Sequence, residues 1–174
     1  MRDLGYSVFR ALKLFDLPTT FNKEARVLGA RWVDYLTLHA RAGVDMLSAG
    51  VEGQLEGADG AGLPRPTALA VTVLTSDDGA PAHIVPNRVR DAVEGGCAGL
   101  VLAAEDLQTA RELAPRLRRV VPGIRLPGDV RHDQSRAASP QEAVANGADL
   151  LVIGRSVTAA ASPREAAAAV ASSV

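Results

Sequence analysis

Ser139-Pro140-Gln141-Glu142-Ala143-Val144-Ala145-Asn146-Gly147-Ala148-Asp149-Leu150-Leu151-Val152-Ile153-Gly154-Arg155 is the stretch on which the fold turns. Ser139 stands before a proline, and Glu142 follows three residues later. That spacing is a capping box with proline at the first helical position. Asn146-Gly147 then supplies a helix stop, because glycine readily takes the left-handed conformation that ends many helices. Residues 148–153 return to strand, with 150–153 apolar as in a strand buried on both faces, and Gly154-Arg155 breaks the run. Ser162, Pro163 and Glu165 repeat the opening device. Residues 139–174 therefore read as helix, strand, helix.

The same texture extends towards the amino terminus. Apolar and β-branched runs occur at residues 6–14, 32–38, 67–74, 99–102, 119–121 and 150–153. Between them lie stretches rich in Ala, Glu, Arg and Leu at helical spacing, at 22–30, 43–52, 86–95, 105–117, 140–146 and 163–172. Thr20 is expected to cap a helix beginning near Phe21, and residues 53–66 read as a surface loop. Alternating strands and helices signify βαβ units and a mostly parallel sheet. An α/β barrel needs eight such units and about 250 residues. With about six units, two α/β architectures stand open: an incomplete barrel, or a doubly wound open sheet.

Composition removes several classes of function. The 174 residues are 47% hydrophobic and 22% charged, which describes a globular chain of one domain spanning residues 1–174. The net charge of −1 lacks the basic excess of a nucleic-acid binder. Aromatics at 3% leave too few rings for base-stacking platforms. A single cysteine, Cys97, excludes a disulfide framework and a cysteine-cluster metal site; it reads as a small core residue. No apolar run reaches the roughly 18 residues of a membrane span, and the first six residues lack a signal-peptide core. The expected location is the cytoplasm. His39, His83 and His132 form no pair with ligand spacing, so no metal and no cofactor are expected.

Three clusters carry chemistry. Gly154-Arg155 follows a strand directly. Glycine there admits close approach of a ligand to the backbone, and the arginine fork fits phosphate oxygens; the plain alternative is a βα turn with a surface arginine. Pro122-Gly123-Ile124-Arg125 and Asp133-Gln134-Ser135-Arg136 place Arg125, Gln134 and Arg136 in one long polar strand-end loop. That loop reads either as a binding loop or as a solvated one. Leu12-Lys13-Leu14-Phe15-Asp16-Leu17-Pro18-Thr19-Thr20 ends a strand with a lysine and places an aspartate three residues later. Lys13 reads as a proton donor or carbanion-stabilising cation with Asp16 beside it, or as a lysine whose stem covers apolar surface at the strand end.

Together these motifs resemble the orotidine 5′-phosphate decarboxylase family. Ala70-Val71-Thr72-Val73-Leu74-Thr75-Ser76 is similar to that family's pyrimidine-contacting strand and loop. Pro122 to Arg125, Asp133 to Arg136 and Val152 to Arg155 match its phosphate signature in order and spacing. The resemblance implies an incomplete TIM-type (βα) barrel and a lyase that converts orotidine monophosphate to UMP and CO2. It implies that Lys13 and Asp16 are catalytic. It implies that Arg125, Gln134, Gly154 and Arg155 hold the phosphate, with Thr75 or Ser76 near the ring or ribose. It also implies a homodimer or higher oligomer in which Asp16 and Thr20 reach the partner's site.

One departure bears directly on activity. The family's motif is Asp-x-Lys-x-x-Asp-x-Pro-x-Thr. Here Lys13, Asp16, Pro18 and Thr20 keep register, but Ala11 stands where the first aspartate belongs. The match also covers about three-quarters of the family's barrel, leaving out roughly two βα units before Arg2. The expectation is therefore weakened or altered activity on a pyrimidine nucleoside monophosphate; the alternative is a nucleotide-binding remnant without catalysis.

Overall fold

The computed structural model describes residues 5–77, 79–126 and 136–174, with the side chains of Lys13 and Leu14 excepted. Six strands form one sheet: β1 (Phe9–Leu14), β2 (Tyr35–His39), β3 (Thr67–Val71), β4 (Gly99–Val101), β5 (Arg118–Val121) and β6 (Leu150–Leu151). Every neighbouring pair is parallel, and the spatial order is the chain order. A doubly wound sheet reverses its order at a switch point. No reversal occurs among these strands, so the sheet is the curved wall of a barrel short of closure, with β1 and β6 as its edges.

Helices α1 (Pro18–Gly29), α2 (Val44–Gly60), α3 (Ile84–Glu94), α4 (Leu107–Leu113) and α5 (Pro140–Ala145) fill the crossovers. The short α6 (Arg155–Thr158) and α7 (Pro163–Ala171) follow β6. No helix among the described residues is long and apolar enough to cross a membrane. Side-by-side residues in parallel strands share a face. Leu36 with Ala68, and Leu38 with Ala70 and Leu100, pack against Phe21, Ala25, Leu47 and Val89 of the helices. The opposite face carries Thr37, Leu69, Val71, Val101 and Val120, the positions that line a barrel's interior. Cys97 lies in the helix-side core, and burial pushes its thiol up to about 12.

The capping box at Ser139 forms. The Glu142 N–H donates to Ser139 Oγ at 3.2 Å, and the Ser139 N–H donates to the Glu142 carboxylate at 2.8 Å. Gly147 takes φ 96° just past the helix end. Three expectations change. Ser162 is the N-cap of α7, yet its side chain makes no capping bond. Its ψ of 92° differs from the 159° of Ser139, so the hydroxyl is not presented to the first turn. Thr20 caps nothing, because α1 begins two residues earlier at Pro18, whose missing N–H costs nothing at a helix start. Residues 53–66 are not one loop, since α2 continues through Gly60.

The extra turns of α2 exist because its glycines are packing residues. A Cβ built on Gly53 would lie 2.2 Å from the Asn22 carbonyl oxygen, and one on Gly57 would lie 2.0 Å from that of Arg26. Gly29 of α1 meets the Gln54 carbonyl oxygen in the same way, at 2.0 Å. The two helices touch backbone to backbone. At the other end of the sheet Arg119 ties β5 to the start of β6. Its backbone N–H, Nε and Nη2 donate to the Asp149 carboxylate at 2.7, 2.9 and 3.1 Å. Burial works to raise the Asp149 pKa, but these bonds outweigh it and hold the carboxyl below its usual range.

Candidate active site

All six strands point their carboxyl ends at one cavity of about 300 Å³. Phe9 and Ala11 of β1, Thr37 of β2, Val71 of β3 and Val101 of β4 form its floor and sides. Pro122 follows β5, Val152 follows β6, and the segment after β3 supplies Val73, Leu74, Thr75 and Ser76. Among the described residues its lining is apolar except for the hydroxyls of Thr37, Thr75 and Ser76. A mostly apolar pocket with few polar groups at the strand ends is the usual ligand site of this architecture. A wider depression of about 600 Å³ lies on the outer layer, between α4 and the end of α5. Its lining includes the charged Glu105, Arg111 and Glu112 and shares no residue with the strand-end cavity.

Three residues beyond Pro122 of the cavity wall stands a half-buried cation. Arg125 follows β5, and its Nη1 donates to the neighbouring Ile124 carbonyl at 2.8 Å. Its Nε and Nη2 are buried without a hydrogen-bond partner among the described residues. Buried guanidinium donors left unpaired are costly, and an anion is the group that satisfies them. The same Ile124 carbonyl accepts from Ser156 Oγ at 3.4 Å. That oxygen joins the loop after β5 to α6, so Arg125 and the Gly154-Arg155 strand end come together. A Cβ on Gly154 would meet nothing within 4 Å, which leaves open space over its backbone.

The structure distributes the remaining candidates differently. Thr75 and Ser76 line the cavity, Thr75 largely buried and Ser76 exposed. The backbone of Lys13 lies in β1, and its side chain lies outside what is described. Asp16 does not line the cavity. Its Oδ1 accepts from the Leu17 N–H at 2.6 Å, and it faces a separate depression with Phe15, Leu17, Pro18, Asp45 and Met46. Thr20 is exposed on the first turn of α1, also away from the cavity. Gln134 lies outside the described residues. Trp32 is 55% exposed, and Tyr35 packs on Phe9 with ring centres 5.9 Å apart while its hydroxyl accepts from Arg118. The His39 Nδ1 accepts from the Arg41 N–H at 3.2 Å at the end of β2.

Two arginines brace the rim in ways the sequence does not announce. Arg88 of α3 donates to the Thr72 carbonyl at the end of β3. Burial lowers its pKa. Arg136 bridges Glu105 and Asp106, which follow β4, with Nη2 at 2.5 Å from the Asp106 carboxylate. Burial pushes the Asp106 carboxyl up more than Arg136 pulls it down. Burial also opposes charge on Arg136, and the two carboxylates outweigh it. These partners stand 30 and 31 positions apart, beyond the reach of any local pattern.

The chain matches the model of the orotidine 5′-phosphate decarboxylase / HUMPS family over residues 1–170. An orotidine 5′-phosphate decarboxylase of Thermobifida fusca is 40% identical over 176 residues, covering 95% of this chain and 72% of the relative. One of Anaeromyxobacter sp. strain K is 40% identical over 179 residues, covering 97% and 75%. Among solved structures, the orotidine 5′-phosphate decarboxylase of Lactobacillus acidophilus superposes with a TM-score of 0.82 at 28% identity, covering 99% of this chain and 77% of that one. An uncharacterized conserved protein from Geobacillus kaustophilus superposes with a TM-score of 0.80 at 29% identity, covering 99% and 78%.

Proposed function

Since the chain belongs to the orotidine 5′-phosphate decarboxylase / HUMPS family, we propose that its strand-end cavity binds a pyrimidine nucleoside monophosphate as a decarboxylase-type lyase with weakened or altered turnover. The observation that carries this reading is Arg125. Its Nε and Nη2 are buried without a partner among the described residues, the Ile124 carbonyl joins its loop to the Gly154-Arg155 strand end, and Pro122 of the same loop lines the apolar cavity. In this reading Arg125, Gln134, Gly154 and Arg155 hold the phosphate. Thr75 and Ser76 take the ring or ribose hydroxyls. Lys13 supplies the proton to C6 once the carboxylate has left as CO2, and Asp16, which faces away from this chain's own cavity, acts in the site of a partner subunit. Binding energy from the remote phosphate is then available at the reacting carbon.

A second reading rests on one residue. Ala11 lines the cavity where the family motif carries a carboxylate, so nothing at that position orients a lysine or crowds a substrate carboxylate. A nucleotide-binding protein without catalysis fits the same geometry. In either reading the ligand is a free nucleotide of the cytoplasm, and neither needs a cofactor.

Calorimetry tests the binding common to both. UMP is expected to bind much more tightly than uridine, and Arg155→Ala is expected to cost ~1.5–3 kcal/mol of UMP affinity, the range for hydrogen bonds to a charged group. Equal affinity for UMP and uridine overturns the phosphate assignment.

Assembly belongs to the same proposal. Among the described residues the edges at β1 and β6 are unpaired, and exposed edges are templates for further pairing. Phe15 and Leu17, which flank Asp16, are 61% and 70% exposed. A homodimer or higher oligomer that covers the barrel's open side, or shares Asp16 and Thr20 between subunits, accounts for both. Light scattering at micromolar concentration is expected to show at least a dimer; a well-folded monomer refutes it.

A further inference from the structure

We propose that Arg136 is a positioning residue for the cavity: its guanidinium, clamped between Glu105 and Asp106, fixes the backbone contact that holds Thr75 in the cavity wall. The guanidinium side chain is only 9% exposed. It is anchored to the segment after β4 by two carboxylates. Its own backbone N–H donates to the Thr75 carbonyl at 3.3 Å, in the segment after β3. Two residues on, the Ala138 carbonyl accepts from the Arg125 N–H at 2.9 Å, and the Ala138 N–H donates to the Gly123 carbonyl at 3.3 Å. Arg136 thus joins the rims of β3 and β4, and the backbone of Ala138 two residues on reaches that of β5.

A bidentate arginine suits this task because its rigid fork fixes direction as well as distance. Small displacements of a lining residue have large consequences for ligand recognition. The direct contact is with Thr75, which lines the cavity, whereas the anion donors are Arg125 and Arg155. Of the ring and the ribose, this inference gives the Thr75 wall to the ring, so loss of the clamp acts first on recognition of the base.

The inference rests on the nucleotide reading above, so the test separates the two. Hydrogen exchange is followed at the Arg136 and Ala138 amides in the ligand-free protein, with the Gly95 and Asn146 amides as internal controls. Affinities for UMP and for ribose 5-phosphate are measured in parallel. Arg136→Ala and Asp106→Asn are compared with the parent; the second variant keeps the guanidinium and Glu105, and it carries the test if the first does not fold. Expected are faster exchange at the two rim amides with the controls unchanged, and about tenfold weaker UMP binding with ribose 5-phosphate affinity retained. Unchanged rim exchange overturns the clamp. Equal losses for both ligands, or no loss for either, make Arg136 a brace and overturn its positioning role. If the parent binds no UMP, the nucleotide reading falls, and the amide exchange alone decides whether Arg136 sets the Thr75 wall.

Discussion

Orotidine monophosphate is expected to lose CO2 on this chain at least about a thousandfold more slowly than on a family member with the full Asp-x-Lys-x-x-Asp motif, a deficit of roughly 4 kcal/mol in barrier. The reason is the methyl group of Ala11. It lines the cavity beside Phe9 and Thr37, and neither neighbour carries charge. A lysine that protonates a carbanion must be held cationic and aimed at the carbon, and a carboxylate beside it does both. Members of such a network act as a unit, so losing one costs nearly as much as losing several. Asp16 does not stand in for the missing group, because it faces a different depression and binds the Leu17 N–H. UMP binding is expected to persist, since the anion donors are separate from this position. Ala11→Asp is expected to raise CO2 release. Fast release from the parent that Lys13→Ala leaves intact would place the chemistry elsewhere. Fast release that Lys13→Ala abolishes would show that the first aspartate is dispensable.

The middle of the sheet was legible because β2 and β3 are buried on both faces and therefore read as nearly unbroken apolar runs, and the last unit because Ser139 and Gly147 punctuate it. Two details escaped for one reason each. Proline before a threonine hid the true start of α1, because Pro18 opens the helix without needing the Thr20 hydroxyl. Gly53, Gly57 and Gly60 read as loop residues, but together with Gly50 their spacing of three and four is a helical face. That spacing was the signal available in the sequence. Glycine lowers helix propensity, and only the partner helix explains its presence.

The site divides along the same line. Thr75, Ser76, Gly154 and Arg155 sit at strand ends, where position along the chain already implies position at the mouth. Arg125 was visible as a basic residue in a polar loop. That its donors are buried and unpaired is a property of packing, which no local pattern encodes. Arg136 was visible as part of the same loop, but its partners Glu105 and Asp106 were not, because they belong to a different βα unit. Phe9 and Thr37 reach the cavity through the alternation of their strands, and Ala11 matters for the charge it lacks.

Gly57→Ala is expected to destabilise the fold by a net ~2–3 kcal/mol, although alanine is the better helix former by ~1 kcal/mol. The added Cβ would stand 2.0 Å from the Arg26 carbonyl oxygen, 2.8 Å from its carbon and 2.9 Å from the Ala30 nitrogen. All three are backbone atoms, so no side-chain rotation relieves the clash; α1 and α2 must move apart. Separation would disturb the Asn22 Nδ2 bond to the Ala49 carbonyl, 3.0 Å long, and loosen the packing around the buried Phe21. Gly60 supplies the opposite sign on the same helix. A Cβ there meets nothing within 4 Å, so Gly60→Ala is expected to be neutral or stabilising by up to ~1 kcal/mol. Urea unfolding of both variants measures the contrast. With slopes of about 1–3 kcal/mol per molar for small proteins, the Gly57→Ala midpoint should fall by about 1–2 M while that of Gly60→Ala holds or rises. Midpoints that both rise would show that propensity and not contact governs these glycines, and that the helices do not meet backbone to backbone.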